Sequence, residues 1–188
     1  MEIQLAAVHE AGHSVVQWLV SWVPGGILLT VENGVATTAK SKCPHPTFEA
    51  KSDLRKRLLV LFAGRAATQA RWPGSENDWD DWSDARMALH AHFQRPGGFK
   101  WYVGDGYSVR DTEVDGLISD SMNKCAEVIS HPPVRATVDT LGALLATRAQ
   151  GTTGCISVTE EEIVSYCQRD IGCDFQRENP WIEWVNRG

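Results

Sequence analysis

Apolar positions fall into runs whose period changes along the chain. Ile3, Leu5, Ala6, Ala7, Val8, Val15, Val16, Trp18, Leu19 and Val20 make an apolar, helix-compatible stretch that ends before Pro24-Gly25-Gly26. Two β-favouring runs, Ile27 to Val31 and Val35 to Lys40, flank Glu32-Asn33-Gly34, and the Asn-Gly step predicts a β-hairpin. Cys43-Pro44-His45-Pro46 then reads as a rigid loop, and Ser52-Asp53 as the start of a helix. That helix carries Leu54, Leu58, Leu59, Leu61 and Phe62 into Ala63-Gly64-Arg65-Ala66-Ala67, whose small residues let a second backbone approach closely.

Trp72-Pro73-Gly74-Ser75 is a break, and a further helix is expected to start near Glu76-Asn77-Asp78. Trp82, Ala85, Leu89, His92 and Phe93 fall on one of its faces, and Arg95-Pro96-Gly97-Gly98 ends it. A loop with Gly104, Gly106 and Tyr107 follows. Val114, Leu117, Ile118, Met122, Cys125, Val128 and Ile129 predict a long amphipathic helix closed by His131-Pro132-Pro133, and Val134 to Leu145 starts another. After the Gly151-Thr152-Thr153-Gly154 break, Thr159 and Glu162 have the spacing of a capping box. These runs describe a mainly α (α+β) domain over residues 1–172 with one hairpin or a small three-stranded sheet. Residues 173–188 are a tail whose Trp181-Ile182-Glu183-Trp184-Val185 is expected to pack back on the body, with packing on a partner as the alternative.

With 188 residues, 43% of them hydrophobic, one core can form without a partner. A net charge of -6 and basic residues scattered apart from Arg55-Lys56-Arg57 argue against nucleic-acid binding. The five cysteines form no CxxC pair and are odd in number, which points away from a thiolate metal site or a closed disulfide set and towards the reducing cytoplasm. No signal peptide is expected, and no membrane segment, because Gln17, Ser21 and Pro24-Gly25-Gly26 interrupt the most apolar stretch, Val15 to Val31. Trp72, Trp79 and Trp82 crowd one segment and read first as packing, with a groove wall as the alternative.

The chemistry lies in His9-Glu10-Ala11-Gly12-His13, a filled HExxH within the first apolar helix. Residues four apart share a helix face, so His9 and His13 can offer ring nitrogens to one metal ion, while Glu10, about 100° round the helix from His9, flanks that ion as a general base. Two histidines and a glutamate in an apolar helix are costly to desolvate without a ligand or partners. Zinc with three protein ligands keeps a position for water, so a third ligand is needed. The candidates are Asp78, Asp80, Asp81, Asp84, Glu76, Glu49, His45, His90, His92 and His131. Physical reasoning alone does not choose among them. A carboxylate at a helix start is a rigid donor and favours Asp78; the other reading of these acids is a solvated first turn that complements the helix dipole.

The order HEAGH, hairpin, Leu59-Val60-Leu61-Phe62-Ala63-Gly64-Arg65-Ala66-Ala67, then Ser75-Glu76-Asn77-Asp78-Trp79 leading to Asp84-Ala85-Arg86-Met87-Ala88 resembles the peptidase domain of FtsH-type ATP-dependent zinc metalloproteases. The resemblance spans residues 1 to 172 and is diffuse after Gly98. It implies a helical zincin-like domain with a small sheet at the active-site edge, zinc held by His9, His13 and Asp78, and Glu10 as base. It also implies that the strand Val35 to Lys40 is an edge against which an extended substrate adds. Where the family has two acidic residues after its Gly-Arg-Ala-Ala helix, this chain has Thr68 and Gln69. It begins eight residues before HEAGH, with neither the AAA ATPase module nor the membrane helices of that family.

The expectation is therefore a zinc-dependent endopeptidase acting on unfolded or exposed polypeptide, without ATPase activity of its own, for which an ATPase or unfoldase partner is a candidate. Hexamer formation is what the resemblance implies; the oligomeric state stays open. The alternative is a catalytically weak or inactive metal-binding interaction or regulatory module, and a metal-free helical protein is the third reading.

Overall fold

A computed structural model describes residues 1–42, 51–75, 79–92, 112–179 and 181–186. Helix α1 (Ile3–Leu19) leads to the strands β1 (Ile27–Glu32) and β2 (Val35–Ser41), followed by α2 (Lys51–Arg71) and α3 (Trp79–His92). Then come α4 (Thr112–Ser130), α5 (Pro132–Ala149), β3 (Gly154–Val158), α6 (Glu160–Asp170), α7 (Cys173–Glu178) and α8 (Ile182–Asn186). The architecture is mainly helical with one three-stranded antiparallel sheet of order β2-β1-β3.

Helix α1 is the centre of the fold. From Ala6 to Leu19 every residue except His9 is buried, including Glu10, His13, Ser14 and Gln17. A helix apolar on most of its circumference needs neighbours all round, and α1 has α2, α5 and the sheet. Two glycines set how close these neighbours come. A Cβ on Gly12 would stand 2.6 Å from the Ala63 carbonyl oxygen and 2.8 Å from Ala67 Cβ, so α1 and α2 touch backbone to backbone at the small-residue run of α2. A Cβ on Gly142 of α5 would stand 2.7 Å from Val8 Cγ2 on the other side of α1.

Alternation in β1 buries Ile27, Leu29 and Val31, and β3 adds Ile156 and Val158 to the core. Asn33 and Gly34 both have positive φ, 53° and 77°, as a two-residue hairpin turn that matches strand twist requires. A register shift between Thr30 and Val31 bends the strand pair. Met1 lies on the outer edge of β2, where its carbonyl accepts from Ala36 N at 3.0 Å and its amino group donates to Ala36 O at 3.2 Å.

The expected stripe of α4 is buried at Val114, Ile118, Cys125, Val128 and Ile129. The expected capping box starts α6, with Glu162 N donating to Thr159 Oγ1 and Thr159 N to Glu162 Oε2. The third strand, β3, starts at Gly154, whose φ of 117° suits glycine. Beyond residue 172 the chain forms α7 and α8 and packs on the body. Trp181 is fully buried beside His131 and Phe175, and Arg55 of α2 donates to Trp184 O at 3.0 Å with its guanidinium 4.7 Å from the ring centre. The loop expected at Cys43 to Pro46, the helix end at Arg95 to Gly98 and the loop around Tyr107 lie outside the described residues.

Because Gly12 has no room for a methyl group, Gly12→Ala is expected to force α1 and α2 apart and to destabilise the protein by roughly 1–3 kcal/mol; urea unfolding followed by circular dichroism measures it.

Candidate metal centre

Residues from three helices meet at one point. The α1 helical repeat places His9 and His13 one turn apart, with their Nε2 atoms 2.9 Å from each other. Asp81, in the first turn of α3, brings its Oδ2 to 3.0 Å from His9 Nε2 and 3.4 Å from His13 Nε2. Helix α2 supplies no donor to this triangle but shapes it twice. Its Val60 carbonyl accepts a hydrogen bond from His13 Nδ1 at 2.6 Å, which leaves Nε2 as the free ligand nitrogen of the neutral ring. Its Gly64 faces the site so closely that a Cβ there would lie 2.5 Å from both Nε2 atoms.

The three atoms fit a divalent ion. Donors about 2.0–2.2 Å from a tetrahedral zinc stand roughly 3.3 Å apart, and the observed sides are within a few tenths of an ångström of that. The donor set, two imidazoles and one carboxylate, is also the borderline nitrogen–oxygen chemistry that zinc accepts. Two ring nitrogens at 2.9 Å either share one hydrogen, one ring donating to the other, or turn both lone pairs to a cation between them. Among the described residues His9, His13 and Asp81 are the one group arranged to hold a metal.

In the protein without an ion the same closeness makes a charged hydrogen-bonded cluster. Burial pushes the His13 pKa down, but the Asp81 carboxylate, with help from Glu10 and the Val60 carbonyl, outweighs burial and holds it at about 9. For Asp81 burial pushes upward, and the two histidines outweigh it to hold the carboxyl well below the usual range.

Glu10 is 6% exposed and lies beside this cluster on α1, as the HExxH spacing implies. The aspartate favoured from the sequence, Asp78, lies outside the described residues with Glu76, His45 and Glu49, and the side chains of Asp80, His90 and His92 are likewise not described. Among the described residues the carboxylate that meets the histidines is Asp81, also a weighed candidate, three residues further along the chain. His131 sits away from the site, at the α4–α5 junction against Phe175. Thr68, in place of an acidic residue in the resembled family, is buried and donates to the Gly64 and Arg65 carbonyls of its own helix.

In the sequence Gly64 is one of a run of small residues; its closeness to the imidazoles comes from the crossing of α1 and α2. No protein-family model matches the chain, and no curated protein matches it.

Two outcomes follow from this geometry. Gly64→Ala is expected to abolish tight metal binding while leaving the helix content intact, measured by metal titration of chelator-treated protein and by circular dichroism. A His13 pKa raised to about 9 means that a metal must displace a proton there, so uptake at pH 7 is expected to release about one proton per chain and to tighten as pH rises towards 9, read from the buffer dependence of the calorimetric heat. In the chelated protein the sign runs the other way. The stability contributed by protonated His13 is complete below pH 6.5 and is lost as pH rises through about 9.

Proposed function

We propose that this chain is a zinc-dependent endopeptidase that cuts unfolded or exposed polypeptide segments. One observation carries the reading: His9 Nε2, His13 Nε2 and Asp81 Oδ2 converge within 3.4 Å, with the buried Glu10 of the same HExxH beside them. His9, His13 and Asp81 hold the ion, and Asp78, which the resemblance to FtsH-type peptidase domains favours, is the competing third ligand. Zinc when bound acts as a Lewis acid on a peptide carbonyl and brings the pKa of a water to about 7.

Glu10 is the general base. Its carboxylate takes the proton of the attacking water as the carbon–oxygen bond forms, and gives that proton to the amine nitrogen as the carbon–nitrogen bond breaks. Burial of Glu10 removes competing water from this transfer and strengthens its electrostatic coupling to the site. A mechanistic role for Thr68 is not needed, since its hydroxyl is engaged with its own helix.

The substrate lies along β2. This strand is an edge of the sheet, and its last residue, Ser41, stands with Oγ 3.1 Å from Ser14 Oγ, one residue along α1 from His13. Among the described residues Met1 at Ala36 is the outer backbone partner of β2, leaving the Ser41 end for an extended polypeptide to add by main-chain hydrogen bonds. Backbone pairing favours unfolded segments, and for stable proteins a separate ATPase or unfoldase is the partner that this reading calls for. No helix among the described residues is long and apolar enough to cross a membrane. Free Cys125, Cys155, Cys167 and Cys173 fit a reducing, cytoplasmic setting.

Zinc-loaded protein is expected to cleave casein, and Glu10→Gln to keep one zinc per chain while losing at least about 10²-fold in turnover. A zinc-loaded wild type that cleaves neither casein nor a broad peptide library belongs instead to a metal-binding interaction module. Asp81→Ala is expected to lose the metal and Asp78→Ala to retain it, by elemental analysis of the purified variants; the reverse pattern assigns the ligand to Asp78.

A further inference from the structure

Glu10, Ser14 and Gln17 lie along one stripe of α1, four and three residues apart, and are buried at 6%, 0% and 1% exposure. The proposed chemistry uses Glu10 alone. The other two meet the end of β2: Ser14 Oγ is 3.1 Å from Ser41 Oγ, and Gln17 Nε2 donates to the same Ser41 Oγ at 3.1 Å. A serine hydroxyl offers one hydrogen and two lone pairs, so Ser41 is engaged from two sides of the helix stripe. The backbone beside it is tied as well. Lys42 N donates to Gly26 O at 3.0 Å, Gly25 N donates to Lys42 O at 2.9 Å, and a Cβ on Gly25 would stand 2.6 Å from that Lys42 oxygen.

Sealing this interface does not need polar groups. Replacing both partners of a buried hydrogen bond by apolar groups of the same shape is close to neutral. Hydroxyls and an amide add direction, which dispersion contacts lack. Gln17 meets Ser41 through Nε2, and among the described residues its buried Oε1 has no partner, so the side chain is turned to Ser41.

We infer that Ser14, Gln17 and Ser41 form a clamp that sets the register of β2 against α1, and so selects which peptide bond of a polypeptide paired to β2 reaches Glu10. The inference rests on the peptidase reading, and the three are positioning residues that touch no reacting atom. Without the clamp the Ser41 end of β2 is held by its pairing with β1 and Gly25-Gly26 but no longer by side chains of the helix that carries His9, Glu10 and His13.

The test compares zinc-loaded wild type with Ser41→Ala, Ser41→Thr and Gln17→Met. Hydrogen exchange of the 39–42 amides is expected to quicken in Ser41→Ala and Gln17→Met, and to return to the wild-type rate in Ser41→Thr, with one zinc per chain throughout. On casein-derived peptides, mass spectrometry is expected to show cut sites spreading to neighbouring bonds, with KM up about tenfold and kcat within about twofold. Unchanged exchange at 39–42, or unchanged cut sites and KM despite faster exchange, overturns the clamp. If Ser41→Ala does not fold, Gln17→Met decides by the same readings. Wild type that binds zinc yet cuts nothing removes the peptidase reading and with it the selection of a bond; the exchange comparison then decides separately whether the clamp holds β2.

Discussion

The approach of α1 to α2 is the constraint on which the rest of the structure depends. Gly12 lets the α2 backbone come up to α1 at Ala63, and one residue later Gly64 leaves the space into which His9 and His13 project. With any larger residue at either position the helices stand further apart or the imidazoles are displaced, and Val60 no longer meets His13 Nδ1. The hydrophobic effect provides the driving force for burying α1, but the helix separation that the two glycines permit decides whether His9 and His13 face a common point.

The same packing explains why a polar motif is tolerated in the most buried helix. Burying imidazole and carboxylate groups is unfavourable unless they are paired. Here His13 is held from one side by a main-chain carbonyl and from the other by Asp81, so the cost of desolvation is offset inside the cluster itself. Asp81 arrives on α3, which packs on α2 and α4 through Ala85, Ala88 and Leu89, and Arg86 of the same helix donates to Asp115 of α4 at 2.7 Å. Asp81 is therefore held by contacts independent of the histidines.

Much of this was legible in the sequence where one local rule sufficed. The Asn33-Gly34 turn, the Thr159–Glu162 box and the stripe of α4 are set by backbone conformation, capping and period, all of which are properties of neighbouring residues. HExxH placed His9, Glu10 and His13 on one helix for the same reason. The carboxylate that meets the histidines was not legible in that way, because several acids crowd this stretch of sequence and only the packing of α3 brings Asp81 to α1. The role of Gly64 was hidden likewise: only a crossing helix turns a missing side chain into space for two imidazoles. The strand β3 was obscured by its glycine-rich approach, and it is recruited by pairing with β1, far away in sequence.

The two imidazoles are not supported equally. His13 is anchored through Nδ1 to Val60, whereas His9 Nδ1 is buried with no acceptor among the described residues. A histidine that ligates through Nε2 must carry its hydrogen on Nδ1, and at His9 none of the described residues accepts that hydrogen. Among the described residues the His9 ring is therefore the less braced of the two. In the metal-holding reading, the less braced ring is the arm whose detachment would open the site to solution.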